Sequence, residues 1–315
     1  MKLKNIIFPI LSLFFISCEK ELNLKLSDSE NLLVVNSVIS PDKPISFKLS
    51  RSISVLEKDT VISVEKAKID LFCNNTFIET DTVGNKGVFL TSVYPLPDKI
   101  YSVKINSPNL PPVTASLSLP NMPIISSIQM DSVKETFYYS YELTTYITDN
   151  LEQKDYYLIS LQGYKNMRWN NPAWVDVPEY LDFVTFSNKT PVLNEVNTTS
   201  AKETVNLIMG ESNVYNVNKY ESLSWMAFSN EYFTPNFHEI KISTGNFTLV
   251  KTKPIYILLS KISEDYFKYL KSIELNKNAG NSEFSEPVPI FNNINGGIGI
   301  FGGMTTTVDS VLLNP

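Results

Sequence analysis

Residues 297–302 read Gly-Ile-Gly-Ile-Phe-Gly, a G-x-G-x-x-G inside the longer stretch NGGIGIFGG at 295–303. In a dinucleotide-binding unit such glycines follow a strand and open a helix, with an acidic residue roughly 20 positions further on. Here Thr305-Thr-Thr-Val-Asp-Ser-Val311 follows instead, a β-branched run that reads as strand. A Pro-rich loop, Pro287-Val-Pro289, precedes the motif. Gly296, Gly297, Gly299, Gly302 and Gly303 therefore read as structural glycines, for turns at positive φ or close backbone approach. Ile298, Ile300 and Phe301 are expected to pack inward between them.

The other candidates for chemistry are few. His238 is the only histidine. A triad would need a nucleophile on an elbow, and no G-x-S-x-G occurs. One histidine and two cysteines do not make a common zinc pattern, and no calcium loop is present. Glycoside hydrolysis runs on carboxylate pairs. Glu264/Asp265, Glu283/Glu286 and Asp149/Asp155 are candidates by proximity, but each reads equally as a helix cap, a solvated loop or a turn. The expectation is a non-enzymatic protein with no cofactor and no metal. Tyr164, Trp169, Trp174, Tyr180 and Phe183 lie among Asn and Pro in a segment, 163–203, that reads as loop. These aromatics are candidates for a partner contact, for stacking on sugars, or for folding back onto the core.

The elements that would position these residues are mostly β. Aromatic residues make up 12% of the chain, with 16 Tyr and 18 Phe. Ile45-Ser-Phe-Lys-Leu49 and Ala67-Lys-Ile-Asp-Leu-Phe-Cys73 alternate with period 2, the mark of a half-buried strand. Together with strands near 32–39, 77–80, 88–90, 100–105 and 113–119 they predict an N-terminal immunoglobulin- or transthyretin-like β-sandwich over 31–120. Pro120 and Pro123 mark a linker, and a second β-rich domain is expected over 124–315. Its strands fall near 124–130, 137–148, 155–161, 205–209, 224–228, 238–242, 255–259 and 305–311. One helix near the C-terminus, 264–277, is predicted from Tyr266, Leu270 and Ile273 at helical spacing, with Ser263 as cap and Asn278 and Gly280 as stop. Cys73 reads as a small buried residue.

The first residues carry a different message. Lys2 and Lys4 precede an apolar run at 6–16, the length of a signal-peptide core and too short to span a bilayer. Ser17-Cys18 at its end resembles a bacterial lipobox, with Phe15 in place of the usual Leu. Residues 1–17 then form a lipoprotein signal peptide, Cys18 takes the lipid, and 18–30 form a polar tether. With 27 Lys+Arg against 33 Asp+Glu, net −6, and no basic cluster, nucleic acid is not an expected partner.

Taken together, several stretches resemble one family. They are Cys18-Glu-Lys-Glu, Leu33-Val-Val-Asn-Ser-Val-Ile-Ser-Pro41, Asp149 followed by Tyr156-Tyr157, and above all residues 284–303, FSEPVPIFNNINGGIGIFGG. The chain resembles Bacteroidetes lipoproteins carrying the domain of unknown function numbered 4249. That resemblance implies a lipid-anchored outer-membrane protein, on the periplasmic or the cell-surface face. It also implies an accessory role at a SusC-like, TonB-dependent β-barrel transporter, in substrate capture, as a lid or in assembly. It supplies no catalytic residues. The competing expectation is a cell-surface carbohydrate-binding or hydrolytic module.

Overall fold

The computed structural model describes residues 31–53, 62–134, 139–170, 173–190, 225–234, 238–244, 249–280, 286 and 288–312. The leader, Cys18, the tether and the expected strand at 205–209 lie outside them. The protein is mostly β. The first half holds β1 (Leu33–Ile39), β2 (Ser46–Arg51), β3 (Ile62–Ser63), β4 (Lys68–Cys73), β5 (Thr76–Thr82), β6 (Val88–Leu90), β7 (Ile100–Ser107) and β8 (Leu110–Ser118). Asn74 and Asn75 both take positive φ, the two-residue turn that matches strand twist between β4 and β5. The second half holds β9 (Ile124–Lys134), β10 (Tyr139–Thr148), β11 (Tyr156–Asn170), β12 (Ala173–Val184), β13 (Ser187–Asn188), β14 (Trp225–Ser229), β15 (Glu239–Thr244) and β16 (Pro254–Ile262). The helix α1 (Glu264–Gly280) and β17 (Ile298–Leu312) follow.

One nine-stranded sheet runs β12-β11-β16-β17-β1-β2-β3, with β14 also on β11 and β6 also on β2. Two four-stranded sheets, β5-β4-β7-β8 and β13-β15-β10-β9, complete the protein. Leu33, Val35, Phe47 and Phe301 of the long sheet share a core with Leu71, Val103, Ile105 and Leu117 of the first small sheet. Ile159, Leu161, Ile257 and Leu259 share a second core with Leu143, Ile240 and Ile242 of the other. Two sandwiches thus share one sheet. β17 is the seam: Ile298 to Gly303 pair in parallel with β1, and Met304 to Leu312 pair antiparallel with β16. The strand therefore hydrogen-bonds on both sides of the linker at 120–123. Thr305 and Thr307 hydroxyls tie that linker down, donating to the Asn121 and Pro123 carbonyls at 2.7 and 2.6 Å.

The helix starts as expected and runs to Gly280. It covers the outer face of the seam, packing Tyr266, Phe267 and Leu270 on Tyr156, Leu158, Ile262, Ile300 and Met304. Ser263 does not cap it by side chain. Its hydroxyl accepts the Gly303 N–H at 3.1 Å, while its carbonyl accepts the Phe267 N–H at 3.0 Å.

The expectation of a loop over 163–203 is corrected over its first part. β11 and β12 pair as a long antiparallel hairpin in which position 169 faces 174 and Gly163 faces Asp182. Aromatic and β-branched side chains suit a pleated surface, and pairing across the hairpin outweighs the Asn and Pro that suggested a loop. Pro178 is accommodated at a bulge: the register shifts between Lys165 and Met167, whose partners are Tyr180 and Asp176.

Candidate functional site

The glycine motif sits at the start of β17, after the helix, and runs on as strand to Leu312. Gly299 has φ +121°, and a Cβ there would lie 2.0 Å from the Val35 carbonyl oxygen across the parallel pairing. Gly296, φ +81°, makes the turn into the strand against the Pro112 carbonyl. The remaining three give space on both faces. Gly297 and Gly303 admit Val113 and Leu117 of β8 and Leu119 just after it, and Gly302 lies under the Tyr266 ring. A phosphate cradle needs amides free to point at the ligand. Here the Phe301 N–H donates to Asn293 Oδ1 at 2.9 Å and the Gly303 N–H to Ser263. Asn293 returns a bond to the Phe301 carbonyl at 2.9 Å, and Asn292 donates to the Gly297 carbonyl at 3.0 Å. The Asn-Asn pair at 292–293 thus clamps the strand, a role the sequence reading missed. Ile300 and Phe301 are buried, as expected, and they enter different cores. Ile298 is a correction: it is 37% exposed, because it lies beyond the part of β17 that α1 covers.

Of the five candidate contact aromatics, the hairpin exposes Trp174, together with Val175 and Leu181. Tyr164 is half-buried against Tyr256, with the Lys253 ammonium 5.4 Å from its ring centroid. The Tyr180 hydroxyl donates to the Met167 carbonyl at 3.2 Å, and Phe183 packs toward the helix-side core. Trp169 stands on β11 near the tip of the hairpin.

A larger apolar surface lies on the first sandwich. Val88, Leu90, Tyr94 and Leu96 occupy alternate positions and are 49%, 63%, 58% and 61% exposed. The positions between them, Phe89, Thr91 and Pro95, are buried. The Glu79 carboxylate accepts from the Ser92 amide and hydroxyl, drawing β5 and its exposed Phe77 alongside. The period-2 pattern at 88–96 carried this signal, with apolar residues at both phases. Cys73 is half-buried rather than fully buried.

One carboxylate pair is brought together: Asp149, after β10, and Asp155, before β11. Lys261 on β16 contacts the Asp155 carboxylate and donates to Asn121 Oδ1 at 2.8 Å. The Tyr157 hydroxyl and the Asn230 amide donate to the two oxygens of Asp149 at 2.7 and 2.6 Å. Asn230 is itself anchored, accepting the Asp155 N–H and donating to the Gln153 carbonyl. Burial pushes the Asp155 carboxyl up, against the opposing pull of Lys261, and Asp149 pushes it further up. Burial and Asp149 together push the Tyr157 phenol far above its ordinary value. A glycosidase pair stands about 5 Å or more apart across an open cleft. Here Asp155 is engaged by Lys261 and both oxygens of Asp149 are taken by Tyr157 and Asn230, which does not suit a sugar. Glu264 pairs with Lys268 at 3.0 Å, and Asp265 accepts from Asn293. Glu283 lies outside the described residues.

His238 lies just before β15 with its ring stacked on Phe233, and its carbonyl accepts from Ile147. Among the described residues, no group of three or more His, Cys, Asp and Glu is placed to hold a metal. Among them, too, no helix is long and apolar enough to cross a membrane.

These features define a β-rich protein of two sandwiches on a shared sheet, sealed by a glycine-bearing C-terminal strand. The chain belongs to the family described as domain of unknown function (DUF4249), whose model matches residues 19–310. No curated protein matches the chain.

Proposed function

We propose that this protein is a non-enzymatic, lipid-anchored outer-membrane subunit that docks on a SusC-like, TonB-dependent transporter, serving substrate capture, lid closure or assembly. The observation that carries the docking is the apolar stripe of Val88, Leu90, Tyr94 and Leu96. Several large apolar side chains left in water along one short segment mark an interaction surface. The lipobox-like junction at Cys18 supports the anchoring. A tether over 18–30 spans at most about 45 Å when extended, which keeps the body within reach of a membrane-embedded barrel.

The test is purification of the full chain through a C-terminal tag after detergent extraction. A roughly stoichiometric β-barrel is expected, and it should be lost when Leu90→Asp and Leu96→Asp are combined at unchanged melting temperature. A monomer without a barrel overturns the docking. Persistence of palmitate label in Cys18→Ser overturns the anchor. A second reading, glycan binding, has one observation in its favour. A shallow groove of about 440 Å³ is lined by Phe72, Ser102, Lys104, Thr114, Ser116 and Asn295. Its hydroxyls and one ring face suit a sugar, and glycan binding by the isolated monomer would favour it over the transporter.

A further inference from the structure

We propose that Lys261 and Asp155 are a self-processing pair: the Lys261 amine condenses with the Asp155 carboxyl to form a side-chain amide that ties β16 to the start of β11. Four features of the cluster meet the needs of that reaction. The two reacting groups are in direct contact, with side chains only 9% and 14% exposed. Asp155 Oδ2, the oxygen that Lys261 touches, has no other hydrogen-bond partner among the described residues. Asn121 Oδ1, 2.8 Å from Nζ, fixes the amine from the linker side. The fourth feature is Asp149, a second carboxyl against the first, locked by Tyr157 and Asn230.

In water an ammonium and a carboxylate do not condense, because both ions are strongly solvated. Burial disfavours the ions, and two carboxyls in contact cannot both ionise readily. Burial first, and the neighbouring Asp149 second, push the Asp155 carboxyl up, so Asp155 can present as the neutral acid. Holding amine and carboxyl in contact supplies the effective concentration that a solution reaction lacks, on the order of 10⁵ M or more. Aromatic surroundings complete the site: Lys261 lies 5.9 Å from the Tyr157 ring centroid, and that ring stacks on Phe228.

The step balances without a further reactant. One ammonium proton passes across the carboxyl pair to Asp149, and the free amine attacks Asp155 Cγ. A second nitrogen proton moves to the departing hydroxyl, which leaves as water, and the third remains on the amide. One C–N bond forms and one C–O bond breaks. The product closes a covalent loop from 155 to 261, restricting the unfolded chain as a disulfide would. With Cys18 acylated, Cys73 would have no disulfide partner.

The experiment is mass spectrometry of tryptic peptides from the purified full chain. Cleavage after Lys154, Lys165, Lys251 and Lys268 should give a branched peptide joining 155–165 to 252–268. It should be lighter by one water than the two linear peptides together, and uncut at Lys261. Lys261→Arg should abolish it. Asp149→Ala should reduce its yield at least tenfold. Asp155→Asn should still give the same branched product, with ammonia leaving in place of water. Linear 155–165 together with a peptide ending at Lys261, and no branched species, overturns the proposal. So does a branch that joins Lys261 to Asn121. Because the wild-type digest decides the matter, a variant that fails to fold does not shield the idea.

Discussion

Replacing Gly299 by alanine tests the claim that the glycine motif is a seam and not a ligand loop. The added Cβ would lie 2.0 Å from the Val35 carbonyl oxygen and 2.9 Å from its carbon. Those are backbone atoms of a strand with Val35 fully buried, so nothing flexible can step aside. Relief requires β17 to move off β1 by roughly 1 Å, beyond the range of a ladder hydrogen bond. Two ladder bonds weakened cost about 1 kcal/mol each. Alanine at φ +121° adds roughly 1–3 kcal/mol of backbone strain. The sum, roughly 3–5 kcal/mol, is a large part of the 5–15 kcal/mol that typically holds a folded protein. Urea unfolding followed by tryptophan fluorescence reads it, since Trp225 is buried against the helix-side core. Gly84→Ala is the control: nothing lies within 4 Å of its Cβ position, and a change under about 0.5 kcal/mol is expected. A Gly299→Ala protein within that same 0.5 kcal/mol of wild type would refute the close approach.

Three further outcomes follow from the same packing. Phe301→Ala removes a fully buried ring 5.5 Å from Phe47 and should cost about 3–5 kcal/mol in the same urea measurement. The Tyr156 phenol is pushed up to about 12, first by burial and then by Glu264, so the unfolded tyrosine ionises first as pH rises. Its contribution is whole below about pH 10 and is lost toward pH 12, roughly 2 kcal/mol in all, and Tyr156→Phe should flatten that part of the stability–pH curve. A fragment of residues 31–123 lacks the parallel partner of β1 and should show little protected amide hydrogen until a peptide of 296–312 is added; independent folding of the fragment would count against the seam.

Much of the β framework was legible because burial on one face writes a period of 2. Phe47, Leu49, Ile69 and Leu71 all lie where alternation put them. The helix was legible from Tyr266 and Leu270 for the same reason at its own period. The hairpin over 156–184 was not. Its Asn and Pro carry strong local turn signals, whereas the opposing Lys165–Tyr180 and Tyr164–Leu181 pairs act only across the fold. The polar cluster was half visible: Asp149 and Asp155 are six residues apart, but Asn121, Asn230 and Lys261 come from three other elements. No spacing rule links residues that only a sheet brings together. The five glycines were visible as a motif, and their meaning depended on a strand that lies at the other end of the chain.

That dependence has a physical consequence. A parallel neighbour cannot be supplied by a hairpin, so β1 requires a long return of the chain before its second edge is filled. Here the return is almost the whole described protein, since Val34 pairs with Ile298. Until it arrives, the first sandwich lacks Phe301 and the second lacks the strand beside β16. Neither core is complete without the same fifteen residues. The ordering entropy of so long a closure has to be met before its contacts form. Strong local packing at the point of closure answers that cost. The glycines let β17 approach β1 and β8 more closely than any side chain would allow, and Asn292 and Asn293 fix its backbone. The helix immediately before it then seals the outer face through Tyr266 over Gly302. A glycine-rich run that resembles a nucleotide loop is, in this setting, what a late-arriving central strand needs.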